Sequence, residues 1–405
     1  MDSIQFYGTR RQSAARSVST QESRDLRATG ESSSSSLDPD IARCLFEEGA
    51  FLFFLDVPQR TEFGIDCNSW NVGEKFKGVK MIPPGVHFVH YSAVSQDNVT
   101  SPRSGFFRNF RHREVVVKRW HTLREGVHEV PVPEEEVDRL RLNVKNLDEY
   151  LGAYPYDGYK KWVSLSNWIT EKTLARLNPT GPSHLIFSVQ QLQSIPHVFS
   201  RKRRASDEGA VGEEIPTVSK ELPDMKIIES TRIRFCDVSS RSFLQASSPA
   251  DITKLHMDKS LVLEHVVENE FDGVENELLG EIQFAFVCFL VGQVYDAFEQ
   301  WKRLIALMSG CEESVKKRPQ LFLNFIGVLY YQLREVPRDF FVDIVSRENF
   351  LTTTLERFFS TIATMDNVDG GLRKKADQFR RHLQKSFKWD FSSEAGEDAP
   401  TIVEL

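Results

Sequence analysis

Residues Glu62–Ser92 read EFGIDCNSWNVGEKFKGVKMIPPGVHFVHYS, and this stretch decides the first half of the chain. In VHFVHYS, Val86, Phe88 and His90 share one face of an extended backbone and His87, Val89 and Tyr91 the other. Pro83-Pro84-Gly85 supplies the turn before it, and Gly64, Gly73, Gly78 and Gly105 punctuate further short runs. Working outward, Ala50–Val57 is an apolar run stopped by Pro58, which reads as a strand. Asp38 and Pro39 before it carry the N-cap and first-turn chemistry of a helix start. Downstream, Phe106–Phe110 and Glu114–Trp120 continue the series, the latter through the strong β formers VVVKRW. A mostly antiparallel β-rich domain over residues 39–153 follows.

After Pro133 the period changes. Val137, Leu140, Val144, Leu147 and Leu151 recur at three and four, which predicts an amphipathic helix. Lys160–Leu177 and Ser183–Leu192 read as further helices, making residues 154–199 a helical linker. Residues 200–224 are charged and almost free of aromatics, so they are expected to be a disordered insert. TRIRFCDV, Thr231–Val238, alternates like a strand. From Ser248-Pro249 onward the helical period dominates. Helices are expected over Ser260–Glu268, Glu275–Val291, Val294–Ser309, Pro319–Leu333, Arg338–Ser346, Asn349–Met365 and Leu372–Phe387, an all-α domain over 225–389. GEIQFAFVCFLVGQVYDAFEQWKRL, Gly280–Leu304, holds the longest apolar run, Phe284–Val291. It is far shorter than the roughly twenty residues a bilayer needs and reads as a buried helix. The ends lack large apolar content: residues 1–38 are rich in Ser, Arg and Thr, and 390–405 form a flexible acidic tail. The fold class is α+β.

Composition narrows the chemistry. The 405 residues suit two domains, and thirty phenylalanines imply well-filled aromatic cores. A net charge of −7 opposes a dedicated nucleic-acid binder. Cys44, Cys67, Cys236, Cys288 and Cys311 are odd in number and far apart, which fits a reducing compartment better than a disulfide framework or zinc knuckle. No P-loop, nucleophile elbow, H-E-x-x-H or dinucleotide glycine pattern occurs. His87 and His90, the nearest histidine pair, fall on opposite strand faces and cannot converge on one metal. The reading is of a protein without enzymatic activity, cofactor or metal.

Three stretches carry interaction chemistry. Arg373, Lys374, Lys375, Arg380, Arg381, Lys385 and Lys388 stand against the single acid Asp377, the strongest cationic element of the chain. They read either as a contact for RNA phosphates or an acidic protein, or as a solvated face outside an inward stripe of Leu372, Ala376, Phe379, Leu383 and Phe387. Arg203 and Arg204 precede Ser206 as a basic-directed kinase requires, so Ser206 is a candidate phosphosite. The terminal Thr401, Ile402, Val403, Glu404 and Leu405 form a β-branched end that can add a strand to a partner's sheet, pack back on its own domain, or fray.

The two long segments quoted above resemble the Aar-two ("a-one alpha-two repression") family of pre-mRNA splicing factors. The resemblance extends through YPYDGYKKWVSLSNWI (Tyr154–Ile169), TRIRF (Thr231–Phe235), PRDFFVDIVSRENFLTTTLERFFS (Pro337–Ser360) and LRKKADQFRRHLQKSFKWDF (Leu372–Phe391). It implies a β-sandwich-like N-terminal domain, a linker, and a VHS-like helical domain. It also implies a non-enzymatic assembly factor of the U5 small nuclear ribonucleoprotein, in cytoplasm and nucleus. Such a factor binds the large central U5 protein, pre-mRNA-processing splicing factor eight, at its RNase H-like and in some members Jab/MPN domain, holding helicase and RNA away until release. Carried onto this chain, the resemblance puts the partner-binding role on Phe340, Phe341, Phe350 and Phe358 of the helical domain and on Thr401, Ile402, Val403 and Leu405 of the tail. The free protein is expected to be a monomer without membrane attachment. Two other classes remain open at this point: an RNA-binding splicing protein using the basic helix, and a helical adaptor of VHS type.

Overall fold

The computed structural model describes residues 39–95, 97, 99–194, 225–238, 257–336 and 350–391. The expectations for residues 1–38, 200–224 and 392–405, for a helix start at Ser248-Pro249 and for a helix over Arg338–Ser346 lie outside the described residues.

The first half is two stacked five-stranded sheets. One has the order β8 (Gly126–Val127), β7 (Val115–His121), β1 (Ala50–Leu55), β4 (Gly78–Ile82), β9 (Leu151–Ala153). The other runs β10 (Ile186–Phe187), β6 (Ser104–Phe110), β5 (Gly85–Ser92), β2 (Glu62–Ile65), β3 (Asn68–Asn71). Neighbours are antiparallel except for the parallel pairs β1–β7 and β4–β9.

The period-two alternation of the strands sorts their side chains into three cores. Leu52 and Phe54 of β1 meet Phe63, Val89, Tyr91 and Phe106 of the second sheet between the layers. Phe51 and Phe53, on the other face of β1, pack outward against Phe46 of α1 (Pro39–Glu48) and Leu140 of α2 (Glu134–Leu142). A strand buried on both faces needs a continuous apolar run, which is why AFLFFL does not alternate with polar residues. The second sheet is also double-sided. Phe88 and Phe107 turn away from the sandwich and enter the core of the helical half.

The helical half is built from α5 (Ser260–Glu270), α6 (Asn276–Leu290), α7 (Tyr295–Ser309), α8 (Glu312–Lys317), α9 (Pro319–Glu335), α10 (Phe350–Thr364) and α11 (Gly370–Phe387). Between the halves lie α3 (Tyr159–Ser166) and α4 (Glu171–Leu177), whose Trp162, Leu165, Leu174 and Leu177 belong to the same core as Phe88 and Phe284. The linker is therefore a packed layer between sheet and helices. The expected β-then-α order is observed, and the two halves share one hydrophobic core.

Four local readings are corrected. The helix expected to reach Leu151 ends at Leu142, because Asn143 leaves the α region and Val144–Tyr150 tightens into a 3-10 turn. Leu140, Val144 and Leu147 still face inward, so the spacing found the buried face and missed the break. Lys160–Leu177 is two helices, split where the Thr170 hydroxyl accepts the Thr173 N–H at 3.0 Å and caps α4. Ser183–Leu192 is not helical: Ile186 and Phe187 pair with Gly105 and Ser104, since the open edge of β6 offers more backbone bonds than a weak helical pattern. Thr231–Val238 is a 3-10 turn followed by extended chain without a strand partner, laid instead across α4 and α6.

Candidate partner-binding surface

The titratable groups a catalytic reading would seize on are mostly sealed inside. Asp66 and His87 have side chains 2% and 1% exposed, with His87 Nδ1 2.7 Å from Asp66 Oδ2. The Tyr154 hydroxyl donates to the same carboxylate oxygen at 2.5 Å, and the Phe88 amide donates to Oδ1 at 3.0 Å. His87 Nε2 lies 2.7 Å from the Pro83 carbonyl oxygen. Both ring nitrogens are thus engaged within the protein. Trp162, stacked on His87 and donating to the Val86 carbonyl, closes the cluster. The Asp-His-Tyr arrangement is a strut joining β2, β5 and the linker. Burial, with Asp66 beside it, pushes the Tyr154 phenol far above its ordinary range.

α6 carries a second set of struts. Glu281, fully buried, accepts from the Cys236 amide and the Gln300 side chain, each at 3.0 Å, and pairs with Arg176 at 2.6 Å. The Arg176 guanidinium also lies 4.5 Å from the Phe271 ring centroid. Glu277 accepts from Thr170 and Thr173 of the α4 cap at 2.9 and 2.7 Å. Gln283 accepts from the Trp168 amide at 2.7 Å and donates to Asn167 at 2.8 Å. A Cβ at Gly280 would stand 2.5 Å from the Trp168 carbonyl oxygen, so only glycine lets α6 come this close. The polar letters of NELLGEIQ therefore bond the linker to the helices.

The five cysteines carry free thiols. Burial pushes Cys67 up to about 12 and raises Cys236, Cys288 and Cys311 above the ordinary thiol range. None of these four is a poised thiolate. Among the described residues no group of three or more His, Cys, Asp or Glu side chains is arranged to hold a metal. No described helix is long and apolar enough to cross a membrane.

Exposed features remain. A groove of about 1150 Å³ runs beside the antiparallel strand pair β11 (Leu192–Ser194) and β12 (Met225–Ile227), lined by Val189, Arg232, Phe235, Tyr295 and Arg303 among others. Val189 and Tyr295 are 49% and 68% exposed there, a large apolar share for a surface. Sequence reasoning missed this groove. Its one readable signal was TRIRFCDV, whose alternation comes from lying extended along the groove floor.

Of the residues singled out from sequence, Phe350 is 39% exposed at the start of α10 and available to a partner. Phe358 is corrected: it is fully buried, edge-on to Phe325 and stacked on Phe322, so it stabilises the core instead of meeting a partner. Phe340, Phe341, Ser206, Thr401, Ile402, Val403 and Leu405 lie outside the described residues. The cationic series sits on α11 with Arg373, Lys374, Lys375, Arg381, Lys385 and Lys388 exposed and Arg380 half-buried. Leu372, Ala376, Phe379 and Leu383 are buried beneath it. The inward stripe and the outward charges coexist on one helix.

Fold and surface together define a class: a doubly covered β-sandwich fused through a packed linker to a helical unit, with its polar clusters spent on internal bonding. Residues 48–179 match the family described as the AAR2 N-terminal domain, and residues 235–392 match the AAR2 C-terminal repeat region. The chain is 47% identical over 382 residues to the human protein AAR2 homolog, covering 91% of this chain and 97% of that one. It is 41% identical over 366 residues to the Caenorhabditis elegans protein AAR2 homolog, covering 88% and 98%. With the A1 cistron-splicing factor AAR2 of Saccharomyces cerevisiae it shares 25% identity over 367 residues, covering 86% and 96%. The chain belongs to the AAR2 family.

Proposed function

We propose that this protein is a non-enzymatic splicing factor that assists assembly of the U5 small nuclear ribonucleoprotein by binding its large central protein. The observation that carries the reading is the family match across both halves, joined to a yeast relative whose name assigns it to splicing of the A1 cistron. The internal geometry supports a binding role. The buried Asp66, His87 and Glu281 are consumed by structural bonds, while apolar and aromatic side chains such as Tyr295, Val189 and Phe350 stand exposed. Interfaces depend on a few aromatic and arginine anchors of this kind.

The mechanism is steric. One rigid body, its sheet and helices locked by Phe88, Phe107 and Phe284, presents surfaces from both halves to the RNase H-like domain of the partner and occludes helicase and RNA there. A rigid bracket spends less entropy on binding than two domains on a loose tether would. The protein is expected in cytoplasm and nucleus.

Two measurements test this. Affinity purification from cell extract should recover the central U5 protein without mature tri-particle components. Calorimetric titration of the purified RNase H-like domain into this chain should saturate at one to one. No heat and no co-purification would overturn the proposal.

A further inference from the structure

We propose that the outer surface along the seam between α9 and α11 is a binding site for single-stranded RNA, with cations for the phosphates and tyrosine rings for the bases. Four observations place the parts. α9 and α11 share the core through Leu329, Leu333, Phe379 and Leu383, which fixes their outer edges side by side. Across that seam the rings of Tyr330 and His382 lie 4.9 Å apart, and the Arg334 guanidinium sits 5.7 Å from the Tyr330 ring centroid. Tyr331 meets Tyr330 edge-on at 5.3 Å and is 43% exposed. Arg334, Lys374, Lys375, Lys385 and Lys388 are all exposed.

Arg334, Lys374, Lys375 and Lys385 differ from several described basic residues elsewhere that are held in ion pairs. Arg103, Arg119, Arg124, Lys161, Lys172 and Arg318 each pair with a carboxylate. The acids of the two helices are already taken: Asp377 pairs with Arg381, and Glu335 with Lys161. No ion pair engages Arg334, Lys374, Lys375, Lys385 or Lys388 among the described residues. Partial burial, then Arg334 and Lys385 beside it, hold the His382 imidazole below its ordinary value. An anion settling on this surface would relieve that repulsion.

The rings decide between anions. A glutamate-rich peptide would satisfy the cations and leave Tyr330, Tyr331 and His382 without a role. Nucleotides use both, because phosphates meet the cations and every unpaired base has a face to stack on tyrosine. A duplex hides those faces, so the ligand is a single strand.

The test measures binding of the full chain to a fluorescein-labelled oligouridylate by anisotropy as salt is raised. Saturable binding is expected, and the variant Arg334→Gln with Lys385→Gln should lower the logarithmic salt slope by about 0.7 for each cation removed. Tyr331→Ala should weaken affinity about fivefold or more with the slope unchanged, since stacking is not a counterion effect. All three positions are exposed, and an unaltered melting temperature confirms that each variant folds. In proton NMR the His382 titration should move upward when RNA is bound. Absence of saturable binding, equal affinity for the matching duplex, full affinity in Tyr331→Ala, or displacement by polyglutamate of equal length would each overturn the proposal. The test is independent of the U5 protein, so either reading can fail alone.

Discussion

α6 and α11 are helices of the same half, and both lie in segments that resemble the family closely, yet their surroundings are opposite. Every residue from Glu277 to Cys288 of α6 is buried, and its charged and amide side chains point into neighbouring elements. α11 buries Leu372, Ala376, Phe379 and Leu383 and leaves its cations to solvent. Glu277, Glu281 and Gln283 of α6 are each matched to two or more partners at hydrogen-bond distance. On α11 most of the cations face water, and their identity is free of packing. Similarity to relatives thus reports architecture in one helix and surface in the other.

The largest expected effect sharpens that contrast at the seam between sheet and helices. Phe284 of α6 stacks on Phe107 of β6 at 4.5 Å and meets Phe235 edge-on. Truncating it to alanine removes a buried ring shared by both halves and should cost about 4 kcal/mol. Urea unfolding followed by circular dichroism and by tryptophan fluorescence should give one coincident transition in the parent chain. Two separated transitions in that parent would show that the halves are independent domains after all.

Next comes Glu281→Ala, which strands Arg176, leaves the Cys236 amide without its acceptor and removes one acceptor of Gln300. Removing one member of a buried pair costs about 3–5 kcal/mol, and the lower end applies because the Arg176 side chain is 20% exposed. Glu281→Gln keeps the shape and the acceptor oxygen and should recover part of the loss in the same denaturation experiment. Equal losses for the two variants would mean that the lost charge opposite Arg176, and neither packing nor the acceptor oxygen, sets the cost.

These struts mark the limit of what the sequence disclosed. Period-two and period-3.6 patterns located β1, β5, β7 and α5 to α11 apart from the short α8, because apolar side chains announce which face they bury. They did not reveal that β5 and β6 serve two cores. Phe88 and Phe107 look like ordinary alternate residues, and only tertiary packing gives their outer face a partner. Glu281 and Gln283 read as solvent letters in an apolar run, since hydrogen-bond partners 115 residues away leave no local trace. The breaks at Asn143 and Thr170 needed capping geometry, and the Ile186–Phe187 strand needed the vacant edge of β6. The groove beside Tyr295 is assembled from three distant segments, so no single window contains it.

A smaller effect concerns acid. Burial, aided by the Arg103 cation, pulls His90 down to about 3 from its ordinary 6.5. The folded chain therefore holds fewer protons than the unfolded chain in that interval. The neutral imidazole's contribution is whole above pH 6.5 and is lost as the pH falls towards 3, by up to about 1.4 kcal/mol per pH unit. Urea midpoints measured from neutral to acid pH should fall accordingly, and His90→Gln should flatten the slope. An unchanged slope would assign the acid lability to other groups. His382 of α11, also held below its ordinary value, should add a contribution of the same sign.

The smallest effect is the most direct check on the contrast with α6. Lys374 and Lys375 are exposed on α11 without an ion pair among the described residues. Each long side chain has solvent on one side and no buried acceptor to abandon, so replacement by alanine removes only hydration, stem contacts and like-charge repulsion. Alanine is also the better helix former by a few tenths of a kcal/mol. The net change should stay within about 0.5 kcal/mol of zero and lean towards stabilisation. Glu277→Ala, one substitution of the same kind on α6, should by contrast cost well over 1 kcal/mol, because the Thr170 and Thr173 hydroxyls lose their shared acceptor beneath the sheet. Should the lysine variants destabilise as much as Glu277→Ala, the cationic face of α11 would itself be part of the packing, and its charges would be unavailable to any ligand.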